Sequence, residues 1–368
     1  MLFSYEHVPH SMDKMQKFID FIFFEIWFKA TSRRKFDLEL FNGSPELKEV
    51  MTTFFYGDTK GGDLFYTRIE AIYGHFAKLS KSQRKRMRNW YWANNLIERA
   101  CCNDQAVRPI RYNQMSGFDP KLIAILKDFF MSLYSKSLIG LAALRKKIGD
   151  IDDHYNQFTT VNGALKCPFC GITDVLGPYH ENREAYDHYL PKSIYPFNSI
   201  NFKNLAPACH HCNSTYKTTK DPNFVPKDRL GEGARRKAFY PYTSQRNRVE
   251  VTVGIDANAS VDKLTPADIT LGFGLADFDE EISTWNEIYS IDERYKAKLC
   301  DDDARAWLED FLLLNRKYGI TPNEHLEDVD ESCEKDPNAN KNFLKKAFLH
   351  GCAKIGALEA IAVHAPGN

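Results

Sequence analysis

Four cysteines in two pairs, Cys167-Pro-Phe-Cys170 and Cys209-His-His-Cys212, constrain this chain more than any other feature of it. Two residues between cysteines let one tight turn aim both sulfurs at a single point. Two such turns supply the four thiolates of a tetrahedral Zn2+ site. A single pair would fit a redox motif equally well, but two pairs with no βαβ pattern around them favour a metal over buried, inert thiols. Gly171 follows the first pair, where a knuckle needs positive φ. The other five cysteines, Cys101, Cys102, Cys300, Cys333 and Cys352, read as ordinary thiols. A closed four-thiolate set has no open coordination position, so such a zinc would be structural.

The remainder is globular in composition. Hydrophobic residues make up 43% of the 368, aromatics 13% and charged residues 27%, which gives ample core material. The length suggests two or three domains. Basic and acidic residues number 49 each, so the net charge is +0. A nucleic-acid contact must then come from local basic patches or through a partner, and the charge neither supports nor excludes a nuclease. The most apolar stretch, 18–28, is interrupted by Asp20 and Glu25 and falls short of the ~20 residues a membrane span needs. With no secretory leader visible and nine cysteines, a reducing cytoplasm is the expected compartment.

Apolar residues recur three and four apart over 15–30, 63–79 and 120–147, which predicts helices. Gly61-Gly62, Pro109 and Gly117 punctuate them as loops. From Gly163 short extended runs and Cys/His clusters take over. Val249-Glu-Val-Thr-Val253 alternates as a strand, with Ile269-Thr-Leu271 a second candidate. Helical periodicity returns over 283–318 and 342–363, with Ser283 or Thr284 expected to cap the helix carrying Trp285 to Tyr295. The acidic, Asn/Pro-rich stretch 324–340 reads as a solvated linker. The expected divisions are a helical region 1–160, a metal-stapled module 161–230 and a mixed, then helical, region 231–368.

Between the cysteine pairs runs Tyr186-Asp-His-Tyr-Leu-Pro-Lys192, followed by Asn204-Leu-Ala-Pro-Ala-Cys-His-His-Cys-Asn213 and then Lys217 and Lys220. Asp-His-x-x-Pro, a later Asn-Leu, and Cys-x-x-Cys-Asn with lysines downstream resemble the HNH (ββα-metal, His-Me finger) endonuclease family. The resemblance covers residues 166–220. It implies an α+β chain, mainly helical, with a central ββα finger folded round one divalent cation and stapled by the four-cysteine zinc site. It further implies His188 as general base, Asp187 as a metal ligand, and Asn204 as the residue holding the His188 loop by backbone hydrogen bonds. Asn213 stands where many members have a histidine ligand, so this is an HNN variant. An amide oxygen is a hard ligand and favours Mg2+ or Mn2+.

Phosphodiester hydrolysis explains the residue types. A histidine with pKa near ~6.5 accepts a proton from water at neutral pH, and a divalent cation stabilises the leaving oxygen. Lys192, Lys217 and Lys220 are candidate phosphate contacts, while His180, His210 and His211 read as solvent-facing more often than ligating.

The run Lys78-Leu-Ser-Lys-Ser-Gln-Arg-Lys-Arg-Met-Arg88, followed by Trp90-Tyr-Trp92, could track a phosphate backbone, but an amphipathic helix with a solvated basic face explains it slightly better. Arg235-Arg-Lys237 is a second basic cluster. The layout is also similar, loosely, to the HNH subunits of Septu-type bacterial anti-phage systems, which work beside an ATPase; the downstream Trp/Arg-Tyr helix carries that likeness. The expected function is a metal-dependent endonuclease, DNA favoured over RNA, acting with a protein partner. The alternatives are a catalytically silent zinc-stapled binding module and a nuclease directed at RNA such as tRNA.

Overall fold

The computed structural model describes residues 1–57, 59–163, 166–226, 233–244 and 248–360. Helices build the first part: α1 (Asp13–Phe21), which runs on into a π-helical turn (Ile22–Trp27), α2 (Pro45–Tyr56), α3 (Lys60–Phe76), α4 (Lys81–Asn95), α5 (Ile97–Cys101), α6 (Pro120–Leu133), α7 (Lys136–Ile139), α8 (Ala142–Ile148) and α9 (Ile151–Asn162). Their starts are written locally. Pro45 and Pro120 occupy first-turn positions, Ser80 and Gln83 form a capping box, and the Asp119 and Asp150 carboxylates accept backbone N–H bonds. Their apolar faces meet in one aromatic core, in which Phe23 stacks on Tyr91 at 4.1 Å and Trp27 on Phe76 at 5.9 Å.

A second core gathers the antiparallel pair β3 (Glu250–Ile255) and β4 (Ile269–Gly274) with α10 (Asp279–Tyr289), α11 (Ile291–Leu299), α12 (Asp302–Tyr318), α13 (Pro322–Lys335), α14 (Asn342–Lys354) and α15 (Ala357–Ala360). Helix α14 lies directly on β3 because position 351 is glycine: a Cβ there would sit 2.9 Å from the Val253 carbonyl oxygen.

Between the two cores lies a three-residue hairpin, β1 (Tyr186–His188) and β2 (Leu205–Pro207), with Asp187 opposite Ala206 and His188 opposite Leu205. Side chains alternate across a strand. Tyr186 and Leu205 accordingly enter the helical core, and Ala206 enters the other. Asp187 and His188 therefore leave the hairpin on opposite faces. Among the described residues the chain is mainly helical with two small two-stranded sheets.

Four expectations need correction. Gly61-Gly62 is not a loop: both glycines lie in the first turn of α3. The stretch 324–340 is not a linker: α13 occupies most of it, opened by a Thr321–Glu324 capping box with Pro322 in its first turn, and it buries Leu326 and Cys333. The run 283–318 is three helices, broken at Ser290 (φ 50°, ψ 49°) and again after Leu299. Its first helix begins at Asp279, so Ser283 and Thr284 lie inside it, and Thr284 Oγ1 donates to the Lys237 carbonyl at 2.7 Å instead of capping. The 230/231 division and residues 361–363 of the expected last helix lie outside the described residues.

Candidate metal centres and the Asp187–His188 hairpin

The four sulfurs of Cys167, Cys170, Cys209 and Cys212 are buried and lie within 4.8 Å of one another. Four sulfurs at about 2.3 Å from a central ion stand about 3.8 Å apart, so the cluster is compatible with a tetrahedral zinc site. Two turns build it. Gly171 N–H bonds the Cys167 carbonyl at 2.7 Å with Gly171 at φ 68°, and a Cβ at 171 would collide with Leu2 at 2.3 Å. In the second turn the Cys212 N–H approaches Cys209 Sγ at 3.4 Å, as the chain enters a π-helical segment, His211–Lys217.

Helices α10 and α11 clamp both turns from outside. Trp285 Nε1 donates to the Phe169 carbonyl at 2.6 Å, and Tyr295 Oη donates to the Cys170 carbonyl at 2.8 Å. The buried Arg294 guanidinium donates to Cys212 Sγ at 3.2 Å, supplying a positive charge beside thiolates that together would carry a net negative charge around Zn2+. Sequence reasoning singled out this helix but gave Arg294 no role, because nothing local ties it to cysteines 82 positions earlier.

On β1, Asp187 is buried, with Oδ1 2.9 Å from Lys217 Nζ and, among the described residues, no partner on Oδ2. Burial raises its pKa, and the Lys217 ammonium opposes that shift. His188 is held by two contacts. Its Nε2 sits 2.9 Å from the Ser199 carbonyl oxygen, and Tyr134 packs edge-on at 4.9 Å. A carbonyl can only accept, so Nε2 carries the proton and Nδ1 holds the lone pair. Burial, followed by the charge of Lys192, pushes the His188 pKa down to about 3, so the ring is neutral at physiological pH.

Asn204 spans the turn after His188 in both directions: its Oδ1 accepts from the Leu190 N–H at 2.8 Å, and its Nδ2 donates to the Leu190 carbonyl at 3.0 Å. Asn213 lies half-buried in the first turn of the π-helical segment. Asp187 Oδ2 is an oxygen that could serve a Mg2+ ion, which needs only one or two protein ligands and retains its waters. An orphaned, buried carboxylate oxygen fits that role.

Each of the three candidate lysines bonds groups of the chain itself. Lys217 is fully buried, its ammonium shared between Asp187 and the His188 carbonyl at 2.9 Å. Lys192 bonds the Met131 carbonyl at 3.2 Å, and Lys220 bonds the Glu287 and Ile288 carbonyls at the end of α10. His180, His210 and His211 are exposed. The basic run forms α4, where Met87, Tyr91 and Asn94 are buried, Arg84 bonds the Phe28 carbonyl and Arg86 lies over Trp90 and Phe118.

Sequence reasoning missed the residues that fix the loop between the strands. Asn94 Nδ2 donates to the Pro196 carbonyl at 2.8 Å, and Asn95 Nδ2 to the Phe197 carbonyl at 3.3 Å. Phe197 sits at φ 79°, costly for an aromatic residue, and is tolerated because its ring is buried among Phe23, Tyr91 and Phe130. The helical core thereby sets the Ser199 carbonyl, and the carbonyl sets the His188 ring. A lone Asn-Asn pair at a helix end is too common to have signalled this.

Comparison with protein-family models, with curated proteins and with solved structures found no match to the chain. No helix among the described residues is long and apolar enough to cross a membrane.

Proposed function

We propose that this chain is a metal-dependent nuclease of the HNH type, with a structural zinc in the four-cysteine site and Mg2+ or Mn2+ at Asp187 and Asn213. The single observation that carries the reading is the Asn204 side chain bonding the Leu190 backbone in both directions, two residues past a histidine whose ring is fixed by a backbone carbonyl. Two short paired strands, the first carrying Asp187 and His188, and a π-helical segment carrying Asn213 support the reading.

His188 Nδ1 is the atom to accept the proton of an attacking water. Burial and the nearby Lys192 charge make it a weak base in the free protein. A phosphate anion arriving beside Lys192 offsets that charge and strengthens the base when substrate is present. The Ser199 carbonyl and the Tyr134 ring keep the imidazole from turning, and Asn204 holds the turn that follows it. The divalent ion, when bound, supplies charge stabilisation for the phosphate and its leaving oxygen. A net charge of +0 offers little long-range pull on a polyanion, which supports action alongside a protein partner that delivers substrate.

A silent zinc-stapled binding module is the second reading, favoured by the Lys217 ammonium already on one Asp187 oxygen. A panel of single- and double-stranded DNA and RNA, incubated with the full chain in Mg2+ or Mn2+, separates the two. Cleavage of DNA that requires the added ion is expected. No cleavage anywhere on the panel leaves the binding module, and cleavage confined to RNA moves the substrate.

A further inference from the structure

We propose that the cavity beside the hairpin loop binds one unpaired nucleotide of the nucleic-acid strand, an inference that rests on the nuclease reading and assigns its substrate a second contact. The cavity measures about 420 Å³, a size suited to one nucleotide. Its walls come from α6, the loop after β1, the segment after the π-helical turn and the end of α10.

The charge of this lining is unlike that of the whole chain. Among the described residues of the lining, Arg111, Lys127, Lys220 and Arg236 stand with two carboxylates, Asp221 and Glu287, in a protein whose net charge is +0. Both carboxylates are already engaged. Asp221 accepts from Tyr195 Oη at 2.7 and 2.8 Å and from the Asn223 N–H at 3.0 Å, and Glu287 pairs with Arg236. Lys127 is exposed, forms no ion pair among the described residues, and lies 5.6 Å over the Tyr112 ring. Lys220 spends two N–H donors on the carbonyls ending α10 and has a third to give. These two ammonium groups are the phosphate-binding elements.

Planar groups complete the nucleotide requirement. The Arg111 guanidinium covers the Phe224 ring at 3.9 Å, both buried in the floor of the cavity, and half-buried Tyr112 forms an aromatic wall. Val225, an exposed apolar residue, forms part of the lining. Bases stack on aromatic and guanidinium faces with little regard to sequence. A concave site of this size admits a splayed-out nucleotide and not a base pair, so the strand is unpaired here.

The cavity is lined by the segments that follow the candidate catalytic strand and the π-helical segment. Ser193 in its wall directly follows Lys192, and Lys220 lies three residues beyond Lys217.

The test is fluorescence anisotropy with the full chain, zinc-loaded and without added Mg2+, using a labelled twelve-nucleotide single strand and the same sequence as duplex. The single strand should bind more tightly than the duplex. Lys127→Glu should weaken its binding about tenfold and lower the slope of log K against log salt by about one. Val225→Asp should weaken it comparably, whereas Lys335→Glu on α13 should not. Wild-type affinity in Lys127→Glu, or a loss no greater than that of Lys335→Glu, overturns the proposal. Binding through Lys127 with no cleavage on any substrate would keep the cavity and overturn the nuclease reading. Cleavage with unimpaired binding by Lys127→Glu would do the reverse.

Discussion

The Lys217 ammonium lies 2.9 Å from Asp187 Oδ1 and 2.9 Å from the His188 carbonyl oxygen, with both side chains shut off from solvent. A π-helical winding from His211 to Lys217 brings the lysine round to the Asp187 face of the hairpin. The pair ties the helix to the strand, and it leaves Asp187 Oδ2 without a partner among the described residues.

Removing one member of this pair strands the other in the interior. Lys217→Met should therefore cost about 3–5 kcal/mol of folding stability. The double variant Asp187→Asn/Lys217→Met should recover most of that loss, because neither group is then charged. Urea denaturation of the three proteins checks this. A single variant within about 1 kcal/mol of wild type would show that the ion pair does not form.

The zinc reading makes a separate demand. Protein purified without added metal should hold one zinc per chain by elemental analysis, and Cys212→Ser should lose it together with solubility, since metal binding supplies folding free energy to so small a module. Arg294→Met should keep the ligands but weaken zinc affinity about 10–100-fold in competition with a chelator, because it removes the donor and charge beside Cys212. An Arg294→Met protein that holds zinc as tightly as wild type would contradict the role given to that guanidinium.

His154 makes stability depend on acid pH. It is buried beside the Tyr186 hydroxyl, and burial pushes its pKa down to about 4. In the unfolded chain it titrates near ~6.5, so between about pH 6.5 and pH 4 the unfolded state binds the extra proton. Stability should therefore fall as pH drops through that window, by roughly 3 kcal/mol at its lower end. His154→Gln should reduce the dependence between pH 7 and 4.5 in denaturation midpoints, leaving the part that His188 carries over the same window. Equal slopes for variant and wild type would remove His154 as the cause.

These contacts show which parts of the molecule can be read from a linear sequence. The cysteine pairs were legible because two-residue spacing acts within one turn. Strands β3 and β4, expected at 249–253 and 269–271, and most helices were legible because periodicity is local. Helix α13 was equally local, with its Thr321–Glu324 box and Pro322, yet its acidic composition masked the capping signal. What was not legible is long-range: Arg294 on Cys212, Trp285 on the Phe169 carbonyl, Asn94 on the Pro196 carbonyl. Lys217 was misplaced for a subtler reason. A regular helix and a π-helical turn present the residue four positions after Asn213 to different neighbours, and residue type does not reveal which winding the chain adopts.

The central claim is that His188 serves as the base for phosphodiester cleavage. Its most direct measurement compares zinc-loaded wild type with His188→Ala on supercoiled plasmid in Mg2+, with zinc content and DNA binding measured on the same preparations. Wild type should nick the plasmid and stop in EDTA, while His188→Ala should be slower by roughly 10²–10⁴-fold with zinc and binding unchanged. Cleavage by His188→Ala at more than about a tenth of the wild-type rate would contradict the assignment of the base, since a positioned general base contributes far more than that.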